Sequence, residues 1–174
     1  MATYIDTSIL VSALDPSDDL HIPARACLDE AAQGVITELV VTEFFNVVLR
    51  REDLSSQLEA LVPESKELSP YEKTLSLLLY LLKRFKLTYF EIRTSKRSLA
   101  FGRIYTPLAQ TLRLSQILRM KTLDMMHVAY AYLVNRQIPK FLEFIATEDE
   151  DFHKNEKQIE EVTGLRVRYL EDIN

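Results

Sequence analysis

Four acidic residues lie in apolar segments of this chain, where an isolated carboxylate is unexpected. Asp6 closes the segment MATYID and Glu43 lies in VVTEFFNVV, while Asp124 and Asp149 lie in TLDMMHVAYAYL and FIATEDEDF. Two carboxylates about 4 Å apart repel each other by roughly 4 kcal/mol at an effective dielectric constant near 20. A hard divalent cation bound through oxygen would remove that repulsion, and an all-carboxylate set suits Mg²⁺ or Mn²⁺. The sequence therefore predicts a metal site built from these four acids.

The same four segments match, in order and spacing, the motifs of one known family. They are YIDTSILVSAL at 4–14, VTEFFNVVLR at 41–50, LDMMHVAYAYL at 123–133 and IATEDEDF at 145–152. With them the chain resembles the PIN-domain ribonucleases, especially the toxin components of prokaryotic toxin–antitoxin pairs. The resemblance spans nearly the whole chain. It implies endonucleolytic hydrolysis of phosphodiester bonds in single-stranded or looped RNA, with the four acids as catalytic metal ligands for Mg²⁺ or Mn²⁺.

Polar residues beside the four acids are expected to support them. His127 lies one helical turn after Asp124, where it would donate a hydrogen bond, contact the substrate or serve only as a buried structural side chain. The nearby hydroxyl groups would position the acids, bind a phosphate or cap backbone N–H groups. Asp151 is expected to be an additional or water-mediated metal ligand. The supporting residues are Thr7, Ser8, Asn46, His127 and Thr147.

The overall charge gives no direct sign of nucleic-acid binding. The 174 residues include 21 Lys and Arg against 26 Asp and Glu, for a net charge of −5. Basic residues nevertheless cluster locally, and Arg119 and Lys121, close to Asp124 in the sequence, are the first candidates for contacts with RNA phosphates. Further candidate clusters are Arg50-Arg51, Lys83-Arg84-Lys86, Lys96-Arg97 with Arg103, and Arg113.

Strands alternate with helices along the sequence, which predicts an α/β fold. We expect three α/β/α layers around a central, mostly parallel sheet, as in PIN domains. In such sheets, sites form at the carboxyl ends of the strands. Asp6 and Asp149 follow predicted strands, whereas Glu43 and Asp124 are predicted in the first turns of helices. The predicted strands are 2–6, 35–38, 87–92, 141–147 and 165–169, and the longer helices include 22–33, ending at Gly34 as a capping glycine, 42–50, 70–85 and 94–118.

The length predicts one domain over residues 1–174, with an enlarged helical region at about 52–118. Cys27 is the only cysteine, which excludes an internal disulfide and makes a reduced, cytoplasmic setting the default expectation. We see no leader segment and no apolar run long enough to span a bilayer, so no membrane partner is expected.

The run TLSLLLYLLKRF at 74–85 is more apolar than one buried face requires. It is interpreted either as core or as a surface for a homodimer or an antitoxin protein. Two alternatives to a toxin stay open. One is a PIN-fold nuclease of RNA processing or quality control. The other is a PIN-fold interaction protein with little activity.

Overall fold

The centre of the fold is a five-stranded parallel sheet. The structure is a computed structural model that describes residues 2–51, 53–54, 56, 59, 62–93 and 95–170. The strands are β1 (Ala2–Ile5), β2 (Gly34–Ile36), β3 (Thr88–Tyr89), β4 (Lys96–Leu99), β5 (Gly102–Tyr105), β6 (Leu142–Thr147) and β7 (Arg166–Tyr169). The central sheet has the order β3-β2-β1-β6-β7, and β4 and β5 form a separate antiparallel hairpin.

Helices flank the central sheet, which gives the predicted three-layer α/β/α, PIN-like fold. The helices are α1 (Thr7–Leu14), α2 (His21–Glu30), α3 (Glu38–Val48), α4 (Pro70–Arg84), α5 (Thr106–Leu114), α6 (Thr122–Gln137), α7 (Glu150–Lys154) and α8 (Glu156–Thr163), with a 3₁₀ helix at Pro63–Glu67. None of the described helices is both long and apolar enough to cross a membrane.

The strand order reverses beside β1, which is the central strand. The chain moves from β1 outwards through β2 and β3 on one side, and β6 and β7 lie on the other side. All four residues of β1 are buried because strands cover both of its edges and helices cover its faces. A crevice forms at the carboxyl ends of strands where the order reverses. The ends of β1 and β6 therefore define the expected place for a site.

The starts of two helices fix the positions of two acids. Asp6 is the N-cap of α1, and its side chain accepts a hydrogen bond from the backbone N–H of Thr7. Helix α3 begins at Glu38, so Glu43 lies in its second turn and not in the first turn as predicted. The Thr42 hydroxyl donates to the Glu38 carbonyl 2.7 Å away instead of capping the helix. Asp124 lies in the first turn of α6, as predicted.

The largest correction concerns the helix predicted over 94–118. Residues 96–105 form the β4–β5 hairpin, and the helix α5 begins only at Thr106. The prediction of short helices or loops at 52–70 lies partly outside the described residues. Gly34 is not a helix cap, because α2 ends at Glu30 and Gly34 opens β2. A side chain at Gly34 would collide with Leu87 and crowd Ile5, which explains the glycine.

The apolar run at 74–85 forms most of α4. Ser69 and Glu72 cap the start of this helix reciprocally, and Pro70 occupies its first turn. Leu78 and Leu81 are buried in the core, whereas Leu79 is 54% exposed and the neighbouring Tyr80 is 46% exposed. The run therefore contributes to the core on one face and presents apolar side chains to solvent on another.

Candidate active site

One cleft at the carboxyl ends of β1 and β6 brings the four predicted acids together. It has a volume of about 350 Å³. Its acids come from four separate places in the chain: the residue after β1, the second turn of α3, the first turn of α6 and the segment after β6. The lining residues that carry charge or a hydroxyl are Asp6, Thr7, Ser8, Ser12, Asp18, Glu43, Asp124, His127, Glu148 and Asp149.

Asp6 is the most firmly held of these acids. Its Oδ1 accepts from the backbone N–H of Thr7 at 2.7 Å, and its Oδ2 accepts from the hydroxyls of Thr147 at 2.6 Å and Ser8 at 3.2 Å. The Thr147 hydroxyl oxygen also accepts from the backbone N–H of Asp149 at 3.1 Å. Asp6 is 6% exposed. Neighbouring hydroxyl and amide groups therefore fix the direction in which this carboxylate faces the cleft.

His127 connects the acids to the core. Its Nε2 lies 2.8 Å from Glu43 Oε2 and 3.4 Å from Asp6 Oδ1, and its Nδ1 lies 3.0 Å from the hydroxyl of Tyr4. The Tyr4 hydroxyl lies in turn 3.2 Å from Thr37 Oγ1. A carboxylate can only accept, so Nε2 carries the proton shared with Glu43. The chain of contacts fixes the His127 ring between the cleft and the buried strand β1.

The same contacts set the pKa values of both partners. Burial raises the pKa of Glu43, but the hydrogen bonds from His127 and Thr7 and the charge of His127 together outweigh it, so the pKa lies below its usual range. Burial lowers the pKa of His127, but the negative charges of Asp6, Glu43 and Asp124 and the hydrogen bond with Glu43 together outweigh it, so that pKa is raised. An imidazole that gains a proton here becomes the counter-charge for Asp6 and Glu43.

Asp124, Asp149 and Asp151 form the other half of the site. Each offers one carboxylate oxygen, and these atoms lie within 4.8 Å of one another. Asp149 caps α7 by accepting from the backbone N–H of Asp151 at 2.8 Å. The Oδ2 atom of Asp124 is buried and has no hydrogen-bond partner in the described part of the chain. Burial and then repulsion from Asp149 raise the pKa of Asp124 to about 6.

The predicted RNA contacts Lys121 and Arg119 and the predicted supporting residue Asn46 differ in how they lie relative to the acids. The Lys121 ammonium lies 3.8 Å from both Asp149 Oδ2 and Asp151 Oδ2, at the exposed rim of the cluster. Arg119 is exposed, and its backbone N–H donates to Asn155 Oδ1 at 3.2 Å. Asn46 is also exposed and makes no hydrogen bond with Glu43.

Two residues of the site escaped the sequence reasoning. Glu148 looked like part of a solvated charge run, yet it is half-buried and lines the cleft beside Ser12, whose hydroxyl lies 3.1 Å from Glu148 Oε2. Burial raises its pKa, and the negative charges of Asp18 and Asp6 add to this. Tyr4, which holds His127, is 123 residues away from it in the sequence. Only the short apolar strand before Asp6 signalled that Tyr4 would lie near the site.

The donor set fits a divalent cation. Asp6, Glu43 and His127 form a second group whose ligand atoms lie within 4.8 Å of one another. In that group the imidazole balances the acids. Asp124, Asp149 and Asp151 have the exposed Lys121 nearby, and the exposed Lys154 lies 3.7 Å from Asp151 Oδ1. The unpartnered Asp124 oxygen and the raised pKa of this residue indicate a group that favours a cation beside it. Carboxylate oxygens are the ligands that Mg²⁺ and Mn²⁺ prefer.

The fold and the site together define a class of protein: a three-layer α/β/α domain with a cluster of acids where the strand order reverses. The PIN-domain family profile matches residues 3–158. The chain therefore belongs to the PIN-domain family, whose characterised members are nucleases. No curated protein matches this sequence significantly.

Three solved structures resemble this one in fold. A chain of VapBC2 from Rickettsia felis, bound to a DNA fragment from the promoter, is 16% identical with a TM-score of 0.55, and the match covers 97% of this chain and 98% of that one. The Mycobacterium tuberculosis toxin VapC20, which cleaves the sarcin–ricin loop, is 14% identical with a TM-score of 0.53 over 88% and 94% of the two chains. A chain of DNA-bound VapBC from Salmonella typhimurium is 15% identical with a TM-score of 0.53, and the match covers 98% of each chain.

Proposed function

We propose that this protein is a divalent-metal-dependent endoribonuclease that hydrolyses single-stranded or looped RNA and acts as the toxin of a toxin–antitoxin pair. The observation that carries the proposal is the convergence of Asp6, Glu43, Asp124 and Asp149 in one cleft from four distant segments. The similarity to a toxin that cleaves an RNA loop supports the choice of substrate. We also expect the protein to act in the cytoplasm.

Asp6, Glu43, Asp124 and Asp149 would together hold Mg²⁺ or Mn²⁺, with Asp151 as a further or water-mediated ligand. When bound, such an ion lowers the pKa of a water molecule and stabilises negative charge on the reacting phosphate. Asp6 keeps a fixed direction because Thr7, Ser8 and Thr147 donate to it. The hydrogen bond with His127 orients Glu43. The unpartnered Oδ2 of Asp124 is available to bind an ion or accept a proton.

Arg119 and Lys121 remain the first candidates for contacts with RNA phosphates near the acids. Lys121 is 72% exposed at its side chain and lies at the rim of the carboxylate cluster. A cation there can bind a phosphate of the substrate strand while the next phosphate lies over the acids. Its ammonium would also offset part of the repulsion between the RNA and the cleft.

The proposed antitoxin needs a surface of its own, and an apolar groove on α1, α2 and α4 offers one. The groove has a volume of about 490 Å³. Val62 and Tyr80, which line it, are 45% and 46% exposed. An amphipathic segment of a partner could bury these side chains. The residues that line the groove include Ala13, Leu14, Pro16, His21, Arg25, Leu54, Leu68 and Leu77.

The proposed activity can be tested with a labelled RNA stem–loop incubated with Mn²⁺, Mg²⁺ or EDTA. We expect cleavage in the loop with either ion and none in EDTA. Hydrolysis by water breaks the P–O3′ bond and leaves a 5′-phosphate and a 3′-hydroxyl. A 2′-deoxy substitution at the cleaved position should therefore leave the reaction intact, because the 2′-hydroxyl is not the nucleophile.

The matched variants are Asp149→Asn and Asp19→Asn. Asp19 is exposed and lies outside the cleft lining, so its replacement should leave cleavage unchanged. Asp149→Asn should abolish cleavage while the circular dichroism spectrum stays that of the wild type. Cleavage that continues in EDTA, or that yields a 2′,3′-cyclic phosphate, would contradict the proposal.

A further inference from the structure

One segment of this acidic protein carries only positive charge. Residues 92–123 contain seven Lys and Arg and no Asp or Glu, whereas the whole chain has a net charge of −5. The seven cations are Arg93, Lys96, Arg97, Arg103, Arg113, Arg119 and Lys121. The segment comprises the β4–β5 hairpin, α5 and the connection that leads into α6 and Asp124. The segment is therefore locally positive, although the whole protein is acidic.

The hairpin presents cations and aromatic rings on one exposed face. Lys96 pairs with Tyr105 across the two strands, and Ser98 pairs with Arg103. Directly opposite residues of an antiparallel pair point to the same face, so these four side chains share one surface, and all four are exposed. The Lys96 ammonium lies 5.7 Å from the centre of the Tyr105 ring. Phe101, in the turn between the strands, is 75% exposed.

The three cations of the hairpin have no acidic partner among the residues that the structure describes. Among the described residues, Lys96, Arg97 and Arg103 form no ion pair with a carboxylate, in contrast to Arg51, Arg84 and Arg168. Gly102, next to the hairpin turn, also borders open space, since a Cβ atom placed on it would meet no atom beyond its chain neighbours within 4 Å. An exposed face that combines unpaired cations with aromatic rings suits a single-stranded nucleic acid, whose phosphates bind cations and whose bases stack on rings.

The segment also leads to the cleft. The backbone N–H of Arg93 lies 3.4 Å from Gln137 Oε1, which places the base of the hairpin at the C-terminal end of α6. Helix α5 packs against α6, and the segment then returns to Lys121 beside Asp149. The 16 residues of α6 span about 24 Å. A stacked strand rises about 3.4 Å along its axis per nucleotide, so about seven nucleotides cover this distance.

We propose that the exposed face of the β4–β5 hairpin is a second RNA-binding site, which holds a single-stranded part of the substrate about seven nucleotides from the bond cleaved between the acids. Lys96 and Arg103 bind phosphates, and Phe101 stacks on a base. The proposal rests on the function proposed above and adds a contact remote from the cleft. It explains how a protein with an acidic cleft and a negative net charge holds RNA.

A second copy of the chain is the main rival occupant, because Leu108 and Leu112 on α5 are 43% and 48% exposed. A two-fold contact, however, places the same surface on both partners. The acid-free segment would then face another positive segment, and like charges in contact oppose association. The charge of this surface therefore favours an anionic partner, and the experiment below separates the two cases.

The test measures the binding of two RNAs. EDTA is present, so that binding is measured without metal ions and without cleavage. One carries at least ten unpaired nucleotides on each side of the cleavage position and the other carries two. The variants are the double substitution Lys96→Gln/Arg103→Gln and the single Phe101→Ala. The control is Lys66→Gln/Lys157→Gln, which removes two exposed cations outside the segment. Size-exclusion chromatography of each protein records its oligomeric state.

We expect the hairpin variants to affect only the long RNA. Loss of two phosphate contacts should reduce the slope of log affinity against log salt by about 1.4, and Phe101→Ala should weaken binding about fivefold or more. Hairpin variants that bind the long RNA as tightly as the control would overturn the proposal, as would variants that change only the oligomeric state. Hairpin-dependent binding by a wild type that does not cleave RNA would support this contact and contradict the nuclease activity instead.

Discussion

Replacing Asp124 with Asn should stabilise the metal-free protein at neutral pH. Burial and the charge of Asp149 raise the pKa of Asp124 to about 6, compared with about 3.9 in an unfolded chain. The folded state therefore binds the Asp124 proton more tightly than the unfolded state. Between these two pKa values, stability falls as pH rises, and above about pH 6 the full destabilising effect is present. Asparagine keeps the shape of the side chain and removes the charge.

The size of the effect follows from the difference of about two pH units between the folded and unfolded pKa values. At about 1.4 kcal/mol for each unit the upper limit is about 3 kcal/mol. Solvent reaches part of this half-buried side chain and screens the repulsion, so we expect Asp124→Asn to raise the free energy of unfolding by about 2 kcal/mol at pH 7. At pH 4 the Asp124 carboxyl group is protonated in the folded state and about half protonated in the unfolded state, so the difference should fall to a small fraction of its value at pH 7.

The assay is urea unfolding in EDTA at pH 4, 5, 6 and 7, monitored by circular dichroism. If the slope of the free energy of unfolding against urea concentration is the same in the wild type and the variant, only stability has changed. Asp19→Asn, which replaces an exposed acid outside the cleft, serves as the control and should not stabilise the protein at pH 7. A wild type more stable than Asp124→Asn at pH 7, or a difference independent of pH, would refute the reasoning. Asp6 and Asp149 are poorer choices because their carboxylates accept hydrogen bonds that asparagine would partly lose.

Two further predictions concern residues around the site. Tyr4→Phe removes the hydroxyl between His127 and Thr37, so we expect the free energy of unfolding to fall by about 1–3 kcal/mol, measured against Tyr71→Phe on the surface. Hydrogen bonds from Ser17, opposed by burial and aided by Arg51, lower the pKa of Asp15 to about 2. This stability is present above about pH 4 and lost as pH falls towards 2, so Asp15→Asn should lower the free energy of unfolding by about 2 kcal/mol at pH 7 and hardly at all at pH 2.

The parallel sheet and the place of the acids at its carboxyl edge could be inferred from the sequence because the two are linked. A short buried strand that ends in an acid, as at Asp6, marks the carboxyl edge of a parallel sheet. The same pattern at FIATED places Asp149 beside it. The start of α3 was harder to predict, since Thr37 and Thr42 are both good capping residues. Only packing against the sheet decides that the helix begins one turn earlier.

Neither the β4–β5 hairpin nor the contact between Tyr4 and His127 could be predicted from the sequence, and the two reasons differ. The segment KRSLAFGRIY lacks the alternation of apolar and polar residues that identifies a half-buried strand, because one of its faces is covered by little protein. The local pattern also cannot tell which face of the fully buried strand β1 carries Tyr4. Its contact with His127 depends on how distant segments pack. Long-range pairs of this kind are set by tertiary structure.

The central claim is that four acids from four segments form one metal site. It can be tested most directly by calorimetric titration of Mn²⁺ into the metal-free wild type, Asp124→Asn, Glu43→Gln and the surface control Glu160→Gln. We expect the wild type and the control to bind Mn²⁺ with equal affinity, and each of the two cleft variants to bind at least about tenfold more weakly. Wild-type affinity in Asp124→Asn, or no Mn²⁺ binding by the wild type, would contradict the claim.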